Sequence, residues 1–127
     1  MHATIRRNIA EAAETMPAED YTFKPTPQVR SFGEVLGHIA NANFLFCSLA
    51  KGAPSPSTTN LEGVTGKAAI LKAVLDSLAY CDPVYETTTD SNFNQPVTVA
   101  GLGNKPTPTV RGAVLMLDRE INRGVGA

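Results

Sequence analysis

Ser31 and Glu34 stand three residues apart at the head of a long apolar-periodic run, and this pairing constrains the fold more tightly than any other stretch. In an S-x-x-E capping box each side chain satisfies a backbone N–H at the other's position, so a helix is expected to start here. Phe32, Val35, Leu36, Ile39, Asn43, Phe46, Cys47 and Ala50 then recur at helical spacing and make one face, apolar apart from Asn43. Lys51 suits the negative end of the helix dipole, and Gly52 is a fitting terminator. Residues 17–30, which carry Pro17, Pro25 and Pro27, read as mostly extended.

The other segments follow the same period. Ile5, Ile9, Ala12, Ala13 and Met16 predict a first helix over residues 3–16, closed by Pro17. The long connection after it is compatible with first and second helices that lie as parallel neighbours. Residues 53–66, rich in Pro, Ser, Thr and Gly, read as a loop. A third helix is expected over residues 67–86, burying Ile70, Leu71, Val74, Leu78, Cys81 and Tyr85, with a kink at Pro83. Residues 87–108 read as an irregular connection. Pro96 to Ala100 have strand character, but Gly101, Gly103 and the neighbouring prolines argue against a sheet. A fourth helix begins near Thr109, presents Val110, Val114, Leu117 and Ile121, and breaks down in Gly124–Ala127. The expected fold is an all-α four-helix bundle with long crossover connections and a short fourth helix. It makes a single domain over residues 1–127, incomplete at its C-terminal end.

Composition limits the function classes. The net charge of −1, with scattered Lys and Arg, lacks the basic stripe a nucleic-acid binder needs. No apolar run reaches membrane-span length, and the first residues have no signal-peptide core. A soluble, cytoplasmic protein is the default; an exported, periplasmic one follows if a leader has been removed. Cys47 and Cys81 both fall on apolar helix faces. They read either as two small buried hydrophobes or as an interhelical disulfide, and the sequence leaves both open.

Few residues offer chemistry. His2 belongs to the terminus, and His38 sits at the edge of the second helix's apolar face beside Val35, Ala42 and Leu45. An isolated histidine is more commonly half-buried against a polar neighbour than bound to a metal, since divalent sites need three or more convergent donors. HExxH, CxxC, GxSxG and P-loop patterns are absent, and Gly101-Leu102-Gly103 lacks the third glycine of a nucleotide fingerprint. Glu11, Glu14, Glu19 and Asp20 read as solvated charges. Asp118 and Glu120 are near enough in sequence to serve one central site, but residues two apart on a helix do not share a face.

Phe23-Lys24-Pro25-Thr26-Pro27 followed by Ser31-Phe32-Gly33-Glu34-Val35-Leu36-Gly37-His38-Ile39-Ala40 resembles the DinB-like (YfiT-like) family of bacterial helical-bundle proteins. The likeness extends through Phe46-Cys47-Ser48, Ala79-Tyr80-Cys81-Asp82 and Thr109 to Leu115. It implies a four-helix bundle holding a divalent metal (Zn, Ni, Fe or Mn) on three histidines. One matches His38; the others form a His-x-x-x-His pair on the last helix. Family members implied by it include metal-dependent hydrolases and transferases that use low-molecular-weight thiols, in which the metal activates a bound water or thiol.

Counted from Arg111–Leu115, the paired histidines would fall near positions 121 and 125, where this chain has Ile121 and Val125. His38 is therefore expected to be the sole surviving metal ligand, with no stable metal and no catalytic residues. Enzyme activity is left undecided, and an inactive bundle is the leading expectation. The alternatives are an active hydrolase or thiol S-transferase using His38 with Asp118, Glu120 or a partner subunit, and a non-enzymatic bundle that binds a small molecule such as a thiol, or a protein. A short fourth helix would also uncover an apolar groove, which favours a homodimer.

Overall fold

The computed structural model describes residues 2–24, 26–57, 59–89, 91–99 and 107–126, with the side chains of 2–3, 97–99, 107–111 and 124–126 also outside the description. Four helices carry the fold: α1 (His2–Thr15), α2 (Phe32–Lys51), α3 (Lys67–Glu86) and α4 (Arg111–Gly126). Their helical character follows from the apolar stripes in the sequence, and the all-α bundle expected from them is the fold observed. Short 3-10 turns at Ala18–Thr22 and Leu61–Gly63 interrupt the connections.

The helix signals at α2 act as their chemistry requires. Ser31 Oγ accepts from the Glu34 N–H at 3.2 Å, and Glu34 Oε1 accepts from the Ser31 N–H at 3.1 Å. Gly52 closes the helix with φ 77°, a left-handed angle that a Cβ would oppose. Gly37 is required for a different reason. A Cβ there would lie 2.5 Å from the Leu61 carbonyl oxygen, because the 3-10 turn crosses directly over α2. Asn41 fixes that crossing, accepting from the Leu61 N–H and donating to Asn60 Oδ1, each at 2.9 Å.

α2 packs on α3 and α4, and α1 packs on the same two helices. α1 and α2 therefore occupy opposite corners rather than adjacent ones, correcting the expectation of parallel neighbours. The connections from α1 to α2 and from α3 to α4 each join helices at diagonal corners, whereas the connection from α2 to α3, about as long as the first, joins neighbours.

The connection before α4 also differs from expectation. Strands β1 (Pro96–Val99) and β2 (Thr107–Val110) pair antiparallel, with Pro96 opposite Val110. Prolines are tolerated because a two-stranded ribbon consists only of edges, where a missing N–H need not break a ladder bond. Thr109 and Val110 belong to this ribbon, so α4 starts at Arg111, later than the periodicity suggested, and continues to Gly126. α3 runs through Pro83 to Glu86, its proline lying in the last turn.

The core has two apolar layers. Ile5, Ile9, Ala13, Tyr21, Leu36, Ile39, Ile70, Val74 and Leu78 form one. Ala42, Phe46, Cys47, Ala50, Cys81, Val84, Val114 and Leu115 form the other. Along α2 and α3 the layers are separated at Asn43 and Ser77, where a polar group from each helix enters the interior.

Candidate functional site

Asn43 from α2, Ser77 from α3, and Asp118 and Asn122 from α4 meet in the middle of the bundle, each at most 2% exposed. A polar group without water must find protein partners, and these do. Tyr85 donates its hydroxyl to Asp118 Oδ2 at 2.7 Å, with the Leu115 carbonyl 3.0 Å away. Asn122 Nδ2 donates to Asp118 Oδ2 at 3.2 Å and to the Asp118 carbonyl at 3.0 Å. Ser77 Oγ donates to the Val74 carbonyl at 2.7 Å.

The Asn43 amide links the two sides, and its rotation decides which groups it satisfies. With its oxygen toward α4 it accepts from Asn122 Nδ2 at 2.7 Å and donates to Ser77 at 3.0 Å. Turned over, its nitrogen donates to Asp118 Oδ1 at 2.9 Å and its oxygen accepts from Ser77 at 3.0 Å. An ionised Asp118 selects the second orientation, because a carboxylate needs donors on both oxygens.

Burial pushes the Asp118 carboxyl up to about 6, against the lowering effect of the hydrogen bonds from Tyr85 and Asn122. Burial also raises the Tyr85 phenol, helped by the Asp118 charge, so the phenol remains a donor.

The two cysteines sit against this network. Cys47 and Cys81 are joined as a disulfide from α2 to α3 with Cα atoms 5.5 Å apart, which decides between the two readings open in the sequence. Cys47 Sγ lies 3.8 Å from Asp118 Oδ2, and Cys81 Sγ lies 3.3 Å from the Asn43 carbonyl oxygen. Cys47, Cys81 and Asp118 form the one group of three His, Cys, Asp or Glu side chains, among the described residues, whose donor atoms lie close enough for a single ion.

His38 is elsewhere. Its Nδ1 is 3.7 Å from Glu62 Oε2, and its side chain is 41% exposed. Glu62 is also held by Arg30, whose Nε donates to Glu62 Oε1 at 2.6 Å. The structure thus brings His38 to the 3-10 turn over α2, apart from Asp118. Ile121 packs against both apolar layers, and Val125 has its side chain outside the described residues. Glu120 is exposed and paired with Arg123, so Asp118 and Glu120 part company as their spacing requires.

A model of the DinB superfamily matches residues 1–122. The chain belongs to that superfamily. No curated protein matches it in sequence. Within this DinB bundle the three-histidine metal implied by the resemblance does not fit the residues present. His38 faces a glutamate, and the i, i+4 pair that α4 turns toward α2 is Asp118 and Asn122, not a pair of histidines. Sequence reasoning missed Asn122 and undervalued Asn43. The available signal was Asn43 itself, the one polar member of an otherwise apolar stripe, which demanded a buried partner from another helix.

Proposed function

We propose that, with its disulfide formed, this DinB bundle is a non-catalytic member of its superfamily that holds no histidine-ligated metal. The observation that carries the reading is Asp118 and Asn122, one turn apart on α4, whose donors and acceptors are already spent on each other, Asn43 and Tyr85. A histidine-ligated ion would need imidazoles beside this pair, and His38 lies against Glu62 instead. A polar network at this point ties α2, α3 and α4 together.

Elemental analysis of the non-reduced protein after dialysis against chelator-treated buffer tests this. The expected content is well below one equivalent of Zn, Ni, Fe or Mn, unchanged by His38→Ala. A stoichiometric metal that disappears in His38→Ala contradicts it.

A small-ligand-binding role is the second reading, favoured by a cleft of ≈ 340 Å³ with Tyr21, Val64 and Ile70 on its walls and Lys24, Glu34, Glu62 and Lys67 among its lining residues. A thermal-shift screen that includes low-molecular-weight thiols addresses it. A compound that raises the melting temperature and perturbs the NMR signals of these residues supports the reading; a screen without such a compound counts against it.

A further inference from the structure

We infer that reduction of the Cys47–Cys81 disulfide opens a buried binding site for a thiophilic divalent cation, with the two thiolates and the Asp118 carboxylate as its ligands. The donor atoms are already gathered. A zinc ion bound at about 2.3 Å to sulfur and about 2.0 to 2.2 Å to a carboxylate oxygen, in tetrahedral geometry, sets S···O separations near ~3.6 Å and an S···S separation near ~3.8 Å. Cys47 Sγ to Asp118 Oδ2 is 3.8 Å in the structure. The Cys81 donor atom lies within 4.8 Å of the other two. Three helices each contribute to the site, so its frame is the bundle itself rather than a loop.

The surroundings suit such an ion. Tyr85 and Asn122 already donate to Asp118, which is how ligating carboxylates are commonly oriented. Three protein donors leave a fourth vertex for water. Thiolate pairs select Zn²⁺ over Mg²⁺ or Ca²⁺, which prefer oxygen donors. Tyr85 and Leu115 also line a pocket of ≈ 180 Å³ with Arg119 and Phe93, which puts the Tyr85 ring between solvent-accessible space and Asp118.

The steps balance without a further oxidant. A dithiol reductant passes two electrons and two protons to the sulfurs, giving two cysteine thiols and its own disulfide. The cation then displaces one proton from each thiol, and Asp118 coordinates as its carboxylate. The same residues thus give a metal-free oxidised form and a metal-binding reduced form. This goes beyond the non-catalytic reading, which concerns the oxidised form alone.

The test is a Co²⁺ titration, followed by Zn²⁺ competition, of the full chain kept reduced anaerobically with a phosphine, which becomes a phosphine oxide as the thiols form. Far-ultraviolet circular dichroism is recorded in parallel. The expected result is a sulfur-to-cobalt charge-transfer band that saturates at one equivalent and is abolished by Zn²⁺. The band is absent from the oxidised protein and from C47S/C81S, and Asp118→Asn weakens binding at least tenfold. If the reduced apo-chain loses helicity, recovery of the helical signal at one equivalent of metal supports the site equally. No thiolate band in the reduced protein, an equal band in C47S/C81S, or reduced chain that metal does not refold overturns it. Metal in the oxidised protein would instead count against the non-catalytic reading, so the two fail separately.

Discussion

Tyr85 on α3 donates its hydroxyl to Asp118 on α4 across 2.7 Å, joining two helices that stand at opposite corners of the bundle. That bond reaches through the interior beside the Cys47–Cys81 disulfide. Its partner is a carboxyl group sealed from water.

Asp118 makes stability fall as pH rises through the mildly acidic range. Its folded-state pKa of about 6 lies above the ordinary 3.8, so the folded chain holds this proton more tightly than the unfolded one. The contribution is fully present below about pH 4 and lost as pH climbs through about 6, amounting to about 3 kcal/mol for a shift of this size. Urea denaturation of the wild type and Asp118→Asn between pH 4 and 7 checks this. The wild type should lose stability relative to the variant as pH rises, and parallel curves would refute it.

Glu34 works in the opposite sense. Its hydrogen bond to Lys24, and then that from the Ser31 backbone, hold its carboxyl near about 2, below the usual 4.5. Its support for the start of α2 is present above pH 4.5 and lost as pH falls toward 2. Glu34→Gln should therefore lower the melting temperature at pH 7 more than at pH 2.5. Ser31→Ala removes the other half of the box and should cost about 1 kcal/mol at neutral pH.

Gly37→Ala should destabilise the chain by about 1 to 3 kcal/mol, the usual cost of forcing atoms into a filled space. The obstacle is backbone, the Leu61 carbonyl and Glu62, so no flexible side chain can swing aside. Gly63→Ala meets nothing within 4 Å and serves as the control. Equal melting temperatures for the two variants would contradict the crossing of the 3-10 turn over α2.

Reducing the disulfide without added metal should cost about 4 kcal/mol in the chain-entropy account for a 34-residue separation. Guanidinium denaturation with and without a phosphine reductant, in chelator, measures it. A loss smaller than about 1 kcal/mol would mean that apolar packing and the polar network hold α2 to α3 without the disulfide.

The helices were legible because each carries its own local signal. The Ser31–Glu34 box and Gly52 bound α2, and its apolar stripe identifies the face that is buried. The ribbon was not legible, since its prolines are tolerable only once β1 and β2 are known to have no further neighbours. The diagonal placement of α1 and α2 is a property of the assembled bundle, and no local period encodes it. The site was half legible. His38 was visible as a residue type, but its orientation toward Glu62 depends on where the 3-10 turn crosses. Asp118 and Asn122 became meaningful only when the rotation of α4 showed which i, i+4 pair points inward. The family resemblance pointed to positions 121 and 125; Ile121 packs against both apolar layers, and the side chain of Val125 lies outside the described residues.

The central claim is that the inward-facing position on α4 belongs to a closed, disulfide-flanked polar network rather than to a bound metal. Native mass spectrometry of the protein purified without reductant or chelator tests it most directly. The account predicts the mass of the chain less two hydrogens, with no metal adduct. A mass retaining both thiol hydrogens, or one that includes a stoichiometric metal ion, would contradict it.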